Sequence, residues 1–420
     1  MYAVVTLAIT VLATGCGSRC PEVAHARDAL VRRAPEPGRT ADVELRVPFA
    51  RANALIEALL AAAPLTVPLE VPALGPIELV VPPLTATARA VQLAAAPAGK
   101  VQLAVRIDIR DAAEVLTTLA LTVVVEPVLE RANGGASLVI GFGPDNLLAL
   151  KPELGPDATR SLGSAVTRWI PSKWKGRVPQ VALDAATRRL GDHVTGGAYR
   201  ALQATLLRQV GEVTRLRLRL PDVPVARVAL SSSARSLVVA ITTDLAVRRG
   251  LADRRAEDDD DDEVTVRLSG SAAAELANWA IDQGHAPRWY SRSLAPHPAG
   301  EFRPRFDYVA EDAAHPVKVY AFQERGGCSY FRVGARATVA LDGTHVKAIV
   351  LDRALERRSA SPVISWLAWV KYFVVGWSDR SKRVAAHTRV EVRGRALDTR
   401  VIGAALVDDE LRFALRFTAE

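Results

Sequence analysis

The chain has 420 residues, 49% hydrophobic and 24% charged, with a formal net charge of +8. That balance excludes a disordered polymer and, at this length, predicts two domains rather than one core. The positive excess is almost all arginine, which favours bidentate contacts with phosphate or carboxylate groups.

Residues 1–16 form an uncharged apolar run ending in Leu12-Ala13-Thr14-Gly15-Cys16. The run falls short of the ~20 residues a spanning helix needs. It resembles a bacterial lipoprotein signal, with small residues before the cysteine that takes the lipid; an ordinary cleaved secretory signal is the alternative. Both imply export. Residues 1–15 then read as signal peptide and Cys16 as lipid anchor. Residues 16–40, polar and proline-bearing, read as a lipidated tether. The expected location is the bacterial envelope, on the outer membrane facing the periplasm. An oxidising compartment permits one disulfide between Cys20 and Cys328, with two free thiols as the alternative. Export argues against nucleic acid as a partner and for anionic lipid head groups.

The body opens with Val43–Phe49, where alternate apolar residues predict a strand with one buried face. Ala50–Ala63 follows with Ala52, Leu55, Ile56, Leu59 and Ala63 at helical spacing, and Pro64 ends that helix. The same unit recurs 221 residues later without a gap, as a strand over Val264–Leu268 and a helix over Ser271–Gln283. Val43 matches Val264, Leu45 matches Val266, Val47 matches Leu268 and Leu55 matches Leu276. A strand feeding a helix at half the chain length predicts a duplicated domain. Strictly alternating runs at Val101–Ile109, Leu119–Val125, Phe331–Leu341 and Leu411–Phe417 predict antiparallel sheet. Helices are predicted at about 157–170, 181–190 and 198–213. The prolines of Leu216–Pro224 mark the boundary, giving domains 41–218 and 219–420.

This twofold repeat of strand, amphipathic helix and long antiparallel strands resembles the tubular lipid-binding superfamily, which includes bactericidal/permeability-increasing protein. The resemblance rests on Val43–Ala63 and Glu263–Gln283 and on the overall order of elements. It implies an elongated α+β protein of two tandem domains. Each would wrap a long twisted antiparallel sheet around an amphipathic helix and leave an apolar groove for acyl chains. Leu55, Leu59, Leu276 and Trp279 would line or neighbour that groove; the alternative is that they fill a dry core.

No residue pattern argues for catalysis. The histidines are scattered, no cysteine pair has zinc spacing, and neither a Gly-x-Ser-x-Gly elbow nor a phosphate loop is present. No cofactor, metal site or enzyme activity is therefore expected. Glu257–Glu263 reads as a solvated loop rather than a calcium site, since it lacks the alternating aspartates and glycine of a calcium loop. Trp169-Ile170-Pro171-Ser172-Lys173-Trp174-Lys175-Gly176-Arg177 interleaves aromatics with cations. Trp169, Lys173, Trp174, Lys175 and Arg177 are candidate head-group contacts; the alternative is a helix-to-loop junction with one tryptophan in the core. Pro362–Trp377 is apolar nearly all round. It reads as a core helix or as a groove lip carrying Trp366 and Trp369. The function expected is an exported, membrane-anchored lipoprotein that binds or transfers phospholipid or another acyl lipid. A scaffolding lipoprotein without ligand is the alternative, and an exported hydrolase the third.

Overall fold

The computed structural model describes residues 20–62, 66–69, 81–112, 114–132, 135–141, 147–151, 158–192, 218–219, 223–252, 263–291, 295–343, 345–358, 383–385, 387–392 and 395–419. The fold is α+β, with helices laid on antiparallel sheets. The repeat unit is present twice. Strand β1 (Val43–Pro48) runs directly into helix α2 (Phe49–Ala62), and strand β11 (Val264–Ser269) into helix α5 (Gly270–Gln283). Every boundary of the second unit lies 221 residues after its counterpart. The junctions differ in one respect. Phe49 packs against the core of the first half, whereas its equivalent Gly270 makes room for Tyr308, whose Cζ would sit 2.6 Å from an added Cβ.

Between the two units lie strands β2 (Thr66–Leu69), β3 (Leu84–Ala95), β4 (Val101–Arg110), β5 (Val115–Ala132), β6 (Gly135–Gly141) and β7 (Leu147–Lys151). Helices α3 (Ala158–Trp169) and α4 (Gln180–Asp192) follow, then β8 (Leu218–Arg219), β9 (Val225–Ser232) and β10 (Ser236–Thr243). The second unit leads into β12 (Phe302–Tyr308), β13 (Val317–Gln323), β14 (Tyr330–Asp342) and β15 (His345–Arg358). The last strands are β16 (Arg383–Ala385), β17 (His387–Val392), β18 (Arg395–Val407) and β19 (Glu410–Ala419). The predicted helices 157–170 and 181–190 are α3 and α4. The predicted helices 198–213 and Pro362–Trp377 lie outside the described residues.

Among the described residues the strands form three sheets. One contains β2 to β6 and β8 with β7 on β5, and another runs β12-β13-β14-β15-β16. The third, in order β17-β18-β19-β11-β1-β10-β9, takes strands from both halves. At its centre β1 pairs antiparallel with β11, Leu45 opposite Val266. On the outer edges Val43 faces Ile241, and its equivalent Val264 faces Leu415. The hairpin β9–β10 therefore corresponds to β18–β19. Strands β9 and β10 complete the sheet around β1. Bulges at Ala88/Ala90 and Arg336/Ala337 interrupt the long hairpins, where an extra residue bends a strand and tightens its twist.

Among the described residues the first half has the larger core. Val101, Leu103, Val105, Ile107 and Ile109, alternate residues of β4, are 0–2% exposed beneath Leu162, Ala165, Val166, Trp169 and Leu190 of α3 and α4. The N-terminal segment is not the free tether its composition suggests. Helix α1 (Cys20–Val31) lays Val23, Ala26 and Leu30 against Tyr320, Phe322 and Tyr330 of the second half. The following residues are tied down by an Arg33–Asp307 ion pair at 2.7 Å and by Arg39, which reaches Asp42 at 2.7 Å. An apolar helix face with aromatic partners and paired arginines outweighs the turn-forming composition around it.

Candidate functional site

Helices α2 and α5 are each clamped to a strand by an asparagine amide. Asn53 donates to the Leu93 carbonyl at 3.1 Å and accepts from the Leu93 N–H at 2.7 Å. Asn278 donates to the Phe306 carbonyl at 2.9 Å and accepts from the Phe306 N–H at 2.8 Å. These bonds satisfy backbone groups that would otherwise lack partners, so they fix each helix at one height above its sheet. The two asparagines are not equivalent in the repeat; Asn278 lies one helical turn beyond the position matching Asn53. Helix α5 is also capped, the Ser269 hydroxyl accepting from the Ala272 N–H at 3.1 Å.

So held, the helices present large apolar side chains that are only partly covered. Leu55 and Ile56 of α2, and Leu276 and Trp279 of α5, are all half-buried. The fully buried positions of α5 are mostly small or polar: Gly270, Ser271, Ala272, Asn278 and Ile281. Trp279 lies 5.1 Å from His285, ring centre to ring centre. Of the remaining groove candidates, Trp366, Trp369 and the Leu59 side chain lie outside the described residues.

The head-group candidates separate into two environments. Trp169, at the end of α3, is buried in the first-half core, with Ile170 beside it also buried. Lys173, Trp174, Lys175 and Arg177 are exposed on the loop from α3 to α4. Trp169 thus takes the alternative of a tryptophan in the core, in helical spacing with Leu162 and Val166, while Trp174 stays outside. Asn53, Asn278 and the exposed Val181 were missed; polar residues on a helix carry no local signal of the strand they will bond.

Asp312, His315 and Glu356 bring ligand-type atoms within 4.8 Å of one another, a grouping that could hold a metal. The ammonium of Lys318, donating to both Asp312 and Glu356, already supplies a cation there. Arg332 adds a contact to Glu356 at 2.8 Å. The hydrogen bond from Lys318 holds the Asp312 carboxyl below its ordinary range. The arrangement serves as an ion-pair hub between strands.

A cavity of about 290 Å³ opens where the halves meet, lined by Arg248, Arg249, Ser269, Tyr308, Asp409 and Glu410 among others. Its charged walls do not suit an acyl chain. Burial and a 2.6 Å hydrogen bond to Asp409 push the Tyr308 hydroxyl well above its usual range, so it stays a neutral donor. Cys328 is disulfide-bonded, and Cys16 and Cys20 are the only other cysteines in the chain.

No family model and no curated protein matches this chain. Solved structures similar to it include P47 of Clostridium botulinum E1, at 8% identity and a TM-score of 0.35, covering 90% of this chain and 98% of that one. P47 from Clostridium botulinum A2 gives 6% and 0.33, covering 89% and 96%. A lipopolysaccharide binding protein gives 11% and 0.24, covering 90% and 99%. At these scores the likeness assigns neither family nor function to the chain.

Proposed function

We propose that this protein binds an acyl lipid along the open apolar faces of α2 and α5. The observation that carries the reading is the contrast in burial. The alternate side chains of β4 are 0–2% exposed, while Leu55, Ile56, Leu276 and Trp279 keep part of their surface exposed on helices clamped to their strands by Asn53 and Asn278. An acyl chain laid against these faces removes apolar surface from water on both partners, worth about 0.8 kcal/mol per buried methylene. Nothing in the mechanism requires bond making: the ligand enters, covers the open faces and leaves.

Export through the apolar leader, anchoring at Cys16 and transfer of the lipid between envelope membranes complete the proposal. They draw on the sequence of residues 1–16. Brominated acyl lipid tests the groove, because bromine quenches only tryptophans it touches. Titration should quench the wild type, and the amplitude should fall in Trp279→Phe. Equal quenching in both proteins would remove α5 from the binding site.

A further inference from the structure

We propose that the loop joining α3 to α4 docks the protein onto an anionic bilayer. Lys173, Lys175 and Arg177 lie within the interhelical segment Ile170–Pro179, which contains no acidic residue. Trp174 is 46% exposed at its centre, and Val181 is 76% exposed on the first turn of α4. Lys175 and Arg177 carry no acidic partner among the described residues. Arg168, before the loop, is instead locked to Asp111 and Glu114 at 2.8 Å each.

The loop is a built turn. Trp174 N–H donates to the Pro171 carbonyl at 2.8 Å and Arg177 N–H to the Trp174 carbonyl at 3.0 Å. Gly176 takes the left-handed φ of +77° that lets the chain reverse. Beneath it, Trp169 and Ile170 are buried and root the turn in the core. A rigid base thus holds an indole outward among cations. Indole settles at the head-group level of a bilayer, and each lysine or arginine adds attraction to an anionic leaflet. Charge complementarity therefore selects an anionic lipid surface as the occupant.

The inference goes beyond the groove reading and is measured separately: vesicle docking and lipid occupancy can each fail alone. Unacylated full-length protein, purified with its disulfide intact, is floated with phosphatidylcholine vesicles with or without phosphatidylglycerol. Binding should require phosphatidylglycerol. It should weaken by at least about tenfold in the double variant Lys175→Glu, Arg177→Glu, and weaken again with added salt. Brominated phospholipid should quench wild-type fluorescence more than that of Trp174→Phe. Both substituted regions are exposed, and circular dichroism checks that the variants fold. Equal binding to both vesicle types, wild-type binding by the double variant, or equal quenching of Trp174→Phe would overturn the proposal. So would loop-dependent binding of duplex DNA without vesicle binding.

Discussion

Leu45 and Val266 face each other across β1 and β11, and each is the other's equivalent in the repeat. A pairing that matches a residue with its own counterpart places the local twofold axis of the duplication between them. Residues directly opposed in an antiparallel pair have Cα atoms about 4.5–5.5 Å apart, within disulfide range. Leu45→Cys with Val266→Cys should therefore cross-link on oxidation. Val43→Cys with Val266→Cys, two positions out of register, should not. Cross-linking of the second pair instead of the first would displace the axis.

Arg267 ties that centre together. Its guanidinium meets Glu410 at 2.7 and 2.9 Å and Glu44 at 2.9 Å, joining β11 to both neighbouring strands. Arg267 is 2% exposed and Glu410 4%, so removing the cation strands a carboxylate away from water. Arg267→Met should cost about 3–5 kcal/mol in denaturant unfolding, and adding Glu410→Leu should recover much of that loss. A single variant as stable as wild type would contradict this role.

Two carboxyl groups on α5 give opposite pH slopes. Burial pushes Glu275 above the ordinary carboxyl range, against a hydrogen bond from Asn278 that favours its charge. A raised folded value means stability that is present at low pH and lost as pH rises through it. Glu275→Gln should thus be more stable than wild type at neutral pH, with the gap closing in acid. Burial also opposes the charge of Asp282, but hydrogen bonds from Arg305 and Arg303 prevail and lower its value. Its contribution is present at neutral pH and lost as pH falls through the lowered value. Asp282→Asn should be less stable than wild type at neutral pH and equal to it in acid. Thermal melts across pH read both signs.

Much of the fold was legible because it is periodic. Alternation located β4, β14 and β19, and the 221-residue register found both repeat units to within one residue at each boundary. What escaped depends on distant partners. No local pattern shows that α1 will rest on Tyr320 and Tyr330, some 300 residues away. Nor does one show that β9 and β10 will flank β1. The candidate site divided on the same line: periodicity named Leu55 and Leu276, but not the asparagine bonds to Leu93 and Phe306 that seat their helices.

Cys328 is disulfide-bonded, and the identity of its partner tests the reading of the N-terminus. If Cys16 carries the lipid, the partner is Cys20, at the start of the helix that packs beside Tyr330. Peptide mapping should recover a Cys20–Cys328 link. Cys328→Ser should cost about 2–4 kcal/mol and speed proteolysis within residues 20–39, as should reduction of the wild type. A Cys16–Cys328 link would contradict acylation of Cys16.

The claim that matters most is that the open faces of α2 and α5 hold a lipid. Native mass spectrometry of the full-length chain, followed by organic extraction, tests it directly. The account predicts an acyl lipid bound non-covalently, with occupancy reduced by placing charge in the groove through Leu276→Glu but unchanged by Lys175→Glu. Protein that is folded, lipid-free and unable to take up added phospholipid would contradict it.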